Sequence, residues 1–128
     1  MKNKLWTLFG CACVAAMTGC VSTPIPPMDR RVTVAQNLGT DLYVTDVRCA
    51  NVATSEFKVF QANVVNNTSD ELWVEWRVVW LDASGIEIPT IVSTWNNVAV
   101  APNEVRALQH VAPLRDAVDM RFYVRRMR

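Results

Sequence analysis

Residues 72–85 read Leu-Trp-Val-Glu-Trp-Arg-Val-Val-Trp-Leu-Asp-Ala-Ser-Gly, and this stretch decides the fold. The even positions from 72 to 80 are all apolar, whereas Glu75 and Arg77 are charged. Side chains alternate between two faces along a strand, so the pattern predicts a long β-strand with one buried face. Asp82 favours the start of a turn, and Gly85 supplies the positive φ that a hairpin loop needs. The expected inward side chains are Leu72, Val74, Trp76, Val78 and Trp80.

The chain has 128 residues, of which 51% are hydrophobic and 20% are charged. This length is enough for one globular domain and too short for two ordinary ones. The formal net charge is +1, and removing a leader that contains Lys2 and Lys4 leaves 11 basic residues against 12 acidic ones. Because binding to nucleic acid depends on an excess of basic residues, we expect no nucleic-acid partner.

The first nineteen residues have the anatomy of an export signal. Lys2 and Lys4 form a short basic start, and residues 5–17 form an apolar run of thirteen residues. Such a run suits a signal-peptide core and is too short to span a bilayer. We therefore expect residues 1–19 to be a signal peptide. Two alternatives stay open: a signal that is cleaved without lipidation, and a buried strand over residues 5–17.

Residues 17–20, Met-Thr-Gly-Cys, resemble the lipobox of bacterial lipoproteins. The resemblance implies cleavage between Gly19 and Cys20 and acylation of the Cys20 thiol, which would make the membrane a partner through a lipid anchor. Cys11 fits the pattern less well, because too short an apolar core precedes it. In Gram-negative lipoproteins an Asp after the cysteine retains the protein at the inner membrane. Val21 therefore implies the outer membrane, with the protein facing the periplasm.

Residues 20–30 form a proline-rich tether that contains Pro24, Pro26 and Pro27. Proline favours the polyproline II helix at about 3.1 Å per residue, so the tether can reach ~30 Å. The alternative is a tail without a spacing role. Residues 31–128 remain for the folded domain.

Short strand patterns separated by turn signals fill residues 31–128, and no long segment shows a helical period. A switch from even to odd apolar positions near Thr45 and Asp46 indicates a β-bulge. These patterns predict an all-β fold, an immunoglobulin-like antiparallel β-sandwich of about seven strands, with a small closed barrel as the alternative. The predicted strand regions are 31–35, 41–51, 56–66, 72–81, a hairpin return at 86–89, 90–100, 105–111 and 118–124, and the inward face of 105–111 is left open.

Four features together resemble the YcfL-type family of small bacterial lipoproteins. The resemblance implies a periplasm-facing sandwich protein of largely unknown role, and it implies no catalytic residues. The features are the lipobox at Cys20, the run Val64–Thr68, the run Val78–Asp82 leading to Gly85, and the run Leu108–Pro113.

The sequence offers little for catalysis. His110 is the only histidine, which excludes a metal site built on several histidines. Cys49 and His110 could form a thiolate pair, but a buried free cysteine on the face of Val47 is the better interpretation. With the leader removed, only Cys20 and Cys49 remain, and no internal disulfide is expected once Cys20 is acylated. We expect no enzyme, no cofactor and no bound metal.

The outward side of the central strand is a possible interaction surface. Trp73 points away from the inward tryptophans, together with Arg77, Val79 and Leu81. The alternative is that a loop or the other sheet covers these side chains. Trp95 could stack on a sugar or anchor a partner, although a core or rim position is expected. The last eight residues carry four arginines, which we interpret as a solvated face and a fraying end, with an anionic-ligand patch as the alternative: Arg121, Arg125, Arg126 and Arg128.

Two functional hypotheses follow. The first is a non-catalytic interaction or scaffold lipoprotein, anchored in the outer membrane and bound to an envelope protein whose identity the sequence does not give. The second is a module that binds glycans or lipids, for example peptidoglycan fragments.

Overall fold

A computed structural model describes residues 27–128. The predicted signal peptide, Cys20 and most of the tether lie outside the described residues. Within 27–128 the chain forms seven strands and one short 3₁₀ helix. The strands are β1 (Val32–Val34), β2 (Leu42–Asn51), β3 (Lys58–Asn66), β4 (Leu72–Leu81), β5 (Asn96–Val100), β6 (Val105–Val111) and β7 (Asp119–Arg126), and the 3₁₀ helix is Gln36–Leu38.

The strands form two sheets. The four-stranded sheet has the order β1-β7-β4-β5, and the three-stranded sheet has the order β2-β3-β6. Every pairing is antiparallel except that of β1 with β7, which is parallel. Because the chain changes sheets after β1, β3, β5 and β6, the two layers fold as one unit. The prediction of an immunoglobulin-like β-sandwich of about seven strands is confirmed, and the parallel edge pair was not predicted.

Strand β4 is one of the two inner strands of the larger sheet. Its first half pairs with β5 and most of its length pairs with β7. All five predicted inward side chains of β4 are buried; Trp80 is fully buried and Trp76 is 9% exposed. The facing layer supplies Phe60, whose ring stacks on that of Phe122 at 5.0 Å between centroids. Burying this apolar surface is the main favourable term that holds the two layers together.

The bulge in β2 lies where the sequence placed it. The register of β2 against β3 shifts between Thr45 and Arg48, and Asp46 takes a positive φ of 52°. The Nδ2 group of Asn63 donates a hydrogen bond of 3.1 Å to Oδ2 of Asp46. Beyond the bulge Cys49 turns toward the core, where it is half-buried rather than fully buried.

Several predictions need correction. The segment between the first two predicted strands, for which no helix was expected, contains the 3₁₀ helix, which buries Leu38 to 1% exposure. The strand predicted at 90–100 begins only at Asn96. The open question on β6 is answered by Leu108, which is buried, whereas Val105 and Val111 are more than half exposed.

The C-terminal arginines do not form a fraying end. Strand β7 continues to Arg126, whose Nη2 group lies 2.8 Å from Oδ2 of Asp41. Arg126 also donates a hydrogen bond of 3.2 Å to the backbone carbonyl of Asn37. These contacts join the end of β7 to the segment before β2, so the end of the last strand is held in place.

Candidate interaction site

The outward side chains of β4 have unequal exposure. Trp73 is 53% exposed, whereas Val79 is 4% exposed and Leu81 is 8% exposed. Arg77 lies between these extremes and is half-buried. The expectation of an exposed patch that joins Trp73, Arg77, Val79 and Leu81 is therefore wrong for Val79 and Leu81. Only Trp73 and the end of Arg77 remain available on that part of the surface.

A hairpin turn follows β4. Oδ1 of Asp82 accepts hydrogen bonds from the backbone N–H groups of Ser84 (2.8 Å) and Ile86 (3.0 Å), and Gly85 takes a positive φ of 78°. The chain then returns beside β4: the N–H of Ile88 donates to the carbonyl of Trp80 at 2.8 Å. The predicted return at 86–89 reduces to an isolated bridge between Leu81 and Glu87.

Residues 89–95 leave the sheet before the chain rejoins β4 as β5. This excursion begins after the bridge between Leu81 and Glu87 and ends before the pairing of Trp76 with Asn96. Ile91 at its outer end is 92% exposed. The excursion therefore lies beside the middle of β4 and brings Trp95 onto the outer face of the four-stranded sheet.

Trp95 lies among arginines there. The guanidinium carbon of Arg125 lies 3.7 Å from the centroid of the Trp95 ring, and that of Arg77 lies 4.9 Å from it. Arg77 also lies 5.1 Å from the ring centroid of Tyr123, its neighbour across β4 and β7. We call Glu75, Arg77, Trp95, Tyr123 and Arg125 the arginine–aromatic cluster. Cation–π contacts at such distances are worth about 0.5–1 kcal/mol each at exposed sites.

The two arginines of the cluster differ in their partners. Arg125 donates from Nε to Oε2 of Glu75 at 2.7 Å, which forms an ion pair. Arg77 forms no hydrogen bond or ion pair with any residue of the range 27–128, and its Nε atom is buried without an acceptor. Buried donors without partners are rare in native proteins and call for an explanation. The cluster therefore has two guanidinium groups and a single carboxylate.

Cys49 and His110 are not brought together. Both residues pair with Phe60, Cys49 from β2 and His110 from β6, so a whole strand separates them. Adjacent strands lie about 4.8 Å apart, which places the two backbones about 10 Å apart. Burial raises the pKa of the Cys49 thiol, an effect that Lys58 and Arg31 only partly offset. The pair therefore lacks the contact and the lowered thiol pKa that a thiolate nucleophile needs.

Residues 27–128 contain no group of three or more His, Cys, Asp or Glu side chains placed to hold a metal ion. An open cavity of about 970 Å³ lies where the chain enters the domain, between residues 27–31 and the bulge of β2. Its wall includes Asp29, whose pKa is lowered by the side-chain hydrogen bonds from Arg31. The cavity borders the part of the chain that the structure does not describe.

A family model described as "Protein of unknown function (DUF1425)" matches residues 29–126, which is nearly the whole sandwich. The chain belongs to the DUF1425 family. The description of that family gives no catalytic activity. The match leaves out residues 1–28, which include the predicted signal peptide and Cys20 on which the lipoprotein prediction depends. No curated protein matches this DUF1425 chain.

Two solved structures share the fold. A crystal structure of a DUF1425 family member from Shewanella sp. pv-4 has a TM-score of 0.62 at 16% identity, and the alignment covers 67% of this chain and 78% of that one. The crystal structure of Campylobacter jejuni cj0090 has a TM-score of 0.66 at 17% identity, with 77% and 100% covered. At such identities the similarity is one of fold alone.

Sequence patterns found half of this site in the DUF1425 chain. Alternation along β4 placed Trp73 and Arg77 on the outward face, which is where they lie. Sequence patterns missed Tyr123, and although Trp95 and Arg125 were considered as possible binding residues, nothing placed them beside Arg77, because these contacts join segments far apart in sequence. A partial signal existed: Tyr123 and Arg125 alternate with the apolar inward side chains of the last strand.

Among residues 27–128, no helix has the length and apolar character to cross a bilayer.

Proposed function

We propose that this DUF1425 protein is a lipid-anchored, non-catalytic interaction module of the bacterial cell envelope, a lipoprotein of the YcfL type. Cys20 carries the anchor, the outer membrane holds it, and the domain faces the periplasm. The sandwich presents the outer face of its four-stranded sheet to an envelope protein. The observation that carries the proposal is the exposed Trp73 beside the arginine–aromatic cluster.

The composition of that surface supports a protein contact. Tryptophan, tyrosine and arginine are the residues that most often dominate the binding energy of protein interfaces. Trp73 is 53% exposed, although it lies on an inner strand of the sheet. Ala99 pairs with it on β5, and so small a neighbour leaves the indole uncovered on that side. A partner that covers Trp73 removes a large apolar surface from water.

The anchor has its own physical support. Burying acyl chains contributes roughly 0.8 kcal/mol per CH₂ group, and two or more chains make detachment rare. Substitution of Cys20 by Ser removes the thiol that acylation requires. We expect the variant to leave the membrane fraction and to keep its leader. A Cys20→Ser product that stays in the membrane fraction with its leader removed contradicts the anchored part of the proposal.

The surface is tested by proximity labelling from the anchored protein in living cells. Trp73→Ala should abolish labelling of one envelope protein that the unmodified chain labels. Val105→Ala is the matched control, because Val105 is 58% exposed on the outer face of the other sheet. If the unmodified chain, Trp73→Ala and Val105→Ala all label the same envelope protein, the proposed surface is contradicted.

The second candidate is a module that binds glycans or lipids, for example peptidoglycan fragments. The exposed indole of Trp73 favours it, because sugar rings stack on such a platform. Trp95 is a poorer platform, since the Arg125 guanidinium already lies 3.7 Å from its ring centroid. This candidate predicts a shift of tryptophan fluorescence with muropeptides that Trp73→Ala abolishes and Trp95→Phe retains. No shift at saturating muropeptide contradicts it.

A further inference from the structure

We infer that the arginine–aromatic cluster recognises a carboxylate carried by a peptide segment of the partner, with Arg77 as the group that binds it. The inference rests on the proposed function, because it names the chemistry of the partner at the same surface. Its observations are the guanidinium of Arg77, which no residue of 27–128 pairs with, the excess of positive charge around it and the position of Trp73.

Arg77 is held in place without an acceptor. Its guanidinium lies between the rings of Trp95 and Tyr123, at 4.9 Å and 5.1 Å from their centroids. This packing restricts the side chain before any ligand arrives, and that lowers the entropy lost on binding. No described residue forms a hydrogen bond or ion pair with it. Guanidinium groups bind carboxylates through two parallel N–H donors. Because Nε of Arg77 is buried, its two Nη groups are the donors that a ligand carboxylate can meet.

The charges on this face favour an anion. Glu75 is already bonded to Nε of Arg125, and no described carboxylate lies within salt-bridge distance of Arg77. Arg121 adds another positive charge on the same side of β7, opposite Val79. Asp119, farther along the same face of β7, lies 3.9 Å from Arg31, so that arginine partly offsets its charge. A single bound carboxylate would therefore neutralise the positive charge of Arg77, which no described residue pairs with.

The position of Trp73 indicates a peptide rather than a lipid phosphate. Trp73 and Arg77 lie on the same face of β4, four residues apart, which corresponds to about 13 Å. An extended peptide that carries an apolar residue and an acidic residue four positions apart can reach both groups. A single phosphate group supplies no apolar partner for Trp73. The ligand class is thus a peptide with an apolar and a carboxylate side chain at that spacing.

The test uses the full chain in a neutral detergent, with NMR signals of the Arg77 Nε–H group and the Trp95 indole N–H. A C-terminally amidated pentapeptide with leucine first and glutamate last should shift both signals saturably, whereas the same amidated peptide ending in glutamine should not. Arg77→Gln and Arg77→Lys should weaken binding about tenfold or more, because the planar pair of donors is lost. Arg121→Gln is the matched control and should change affinity less than about threefold, because its effect is only long-range.

Four outcomes overturn the inference. They are no saturable shift with the glutamate peptide, equal shifts with the two peptides, unchanged affinity in Arg77→Gln at an unchanged unfolding temperature, and a stronger response to inorganic phosphate than to the glutamate peptide. The last outcome assigns the site to a phosphate anion instead. A chain that loses its labelled partner in Trp73→Ala but ignores the glutamate peptide keeps the interaction module and loses only the carboxylate. A chain that binds the glutamate peptide but labels no envelope protein keeps the carboxylate site and contradicts the proposed interaction module.

Discussion

The indole N–H of Trp80 donates a hydrogen bond of 3.0 Å to Nδ1 of His110, and this bond connects the two sheets. Trp80 lies on β4 and His110 lies on β6. Because an indole nitrogen can only donate, Nδ1 of His110 must accept, and the ring proton sits on Nε2. Nε2 lies 3.2 Å from the backbone carbonyl of Val92, to which it donates. The histidine therefore connects both layers and the 89–95 excursion.

Removing this histidine should destabilise the sandwich. His110→Ala leaves the fully buried indole N–H of Trp80 without its acceptor, so we expect a loss of about 1–3 kcal/mol in the free energy of unfolding. Urea denaturation measures it. Gln109→Ala, on the exposed side of the same strand, is the control and should stay within about 0.5 kcal/mol of the unmodified chain. A His110→Ala chain as stable as this control would show that the bond contributes little.

Asn66 should be the most sensitive polar position in the described part of the chain. Its fully buried side chain shares its Nδ2 group among the carbonyls of Asp70, Val100 and Ala101, at 2.7, 3.0 and 3.1 Å. Its Oδ1 accepts from the N–H and hydroxyl of Thr68.

We expect Asn66→Asp to cost at least about 2 kcal/mol of unfolding free energy, since a carboxylate would then face three carbonyl oxygens. Asn67→Asp, at the exposed neighbouring position, is the matched control. Chemical denaturation of both variants makes the comparison, and equal stabilities would argue against the network.

The bulge residue Asp46 should tolerate glycine and reject β-branched residues. Its φ of 52° lies in the left-handed region, which costs a β-branched residue roughly 1–2 kcal/mol. Asp46→Val should therefore lower the unfolding temperature, whereas Asp46→Gly should leave it nearly unchanged. Thr45→Val, one residue earlier with an ordinary negative φ, is the control. Similar unfolding temperatures for Asp46→Val and Asp46→Gly would contradict the bulge geometry.

The Cys49 thiol should make the protein less stable at alkaline pH. Burial raises the pKa of Cys49 above its ordinary value of 9.0. Above that value the unfolded chain has released a proton that the folded chain still holds, so stability falls as pH rises. The unfolding free energy of the reduced chain should fall more steeply from about pH 8 to about pH 10 than that of Cys49→Ala. Parallel curves would mean that the folded thiol titrates like a free one.

Local patterns predicted most of the fold. The alternation in β4, the bulge at Asp46 and the turn at Asp82 depend on neighbouring residues, and each lies where the sequence placed it. Patterning could not predict the parallel pairing of β1 with β7, because either edge of a sheet can accept a short strand. The burial of Leu38 followed no strand period and was missed for that reason.

The candidate site was predicted less well, for a related reason. The burial of Val79 and Leu81 depends on tertiary packing that lies outside the periodicity of β4 itself. The contacts of Arg77 with Trp95 and Tyr123 bridge 18 and 46 residues along the chain. Charge counting likewise could not separate Arg125, which pairs with Glu75, from an arginine that is simply solvated.

Site-specific photocrosslinking in living cells tests the central claim most directly. A photoreactive p-benzoylphenylalanine takes the place of Trp73 on the outer face of the four-stranded sheet, and in a second chain it takes the place of Ala107, exposed on β6. The account predicts a discrete covalent adduct with an envelope protein from position 73 and none from position 107. The absence of a discrete adduct from position 73, with or without one from position 107, would contradict it.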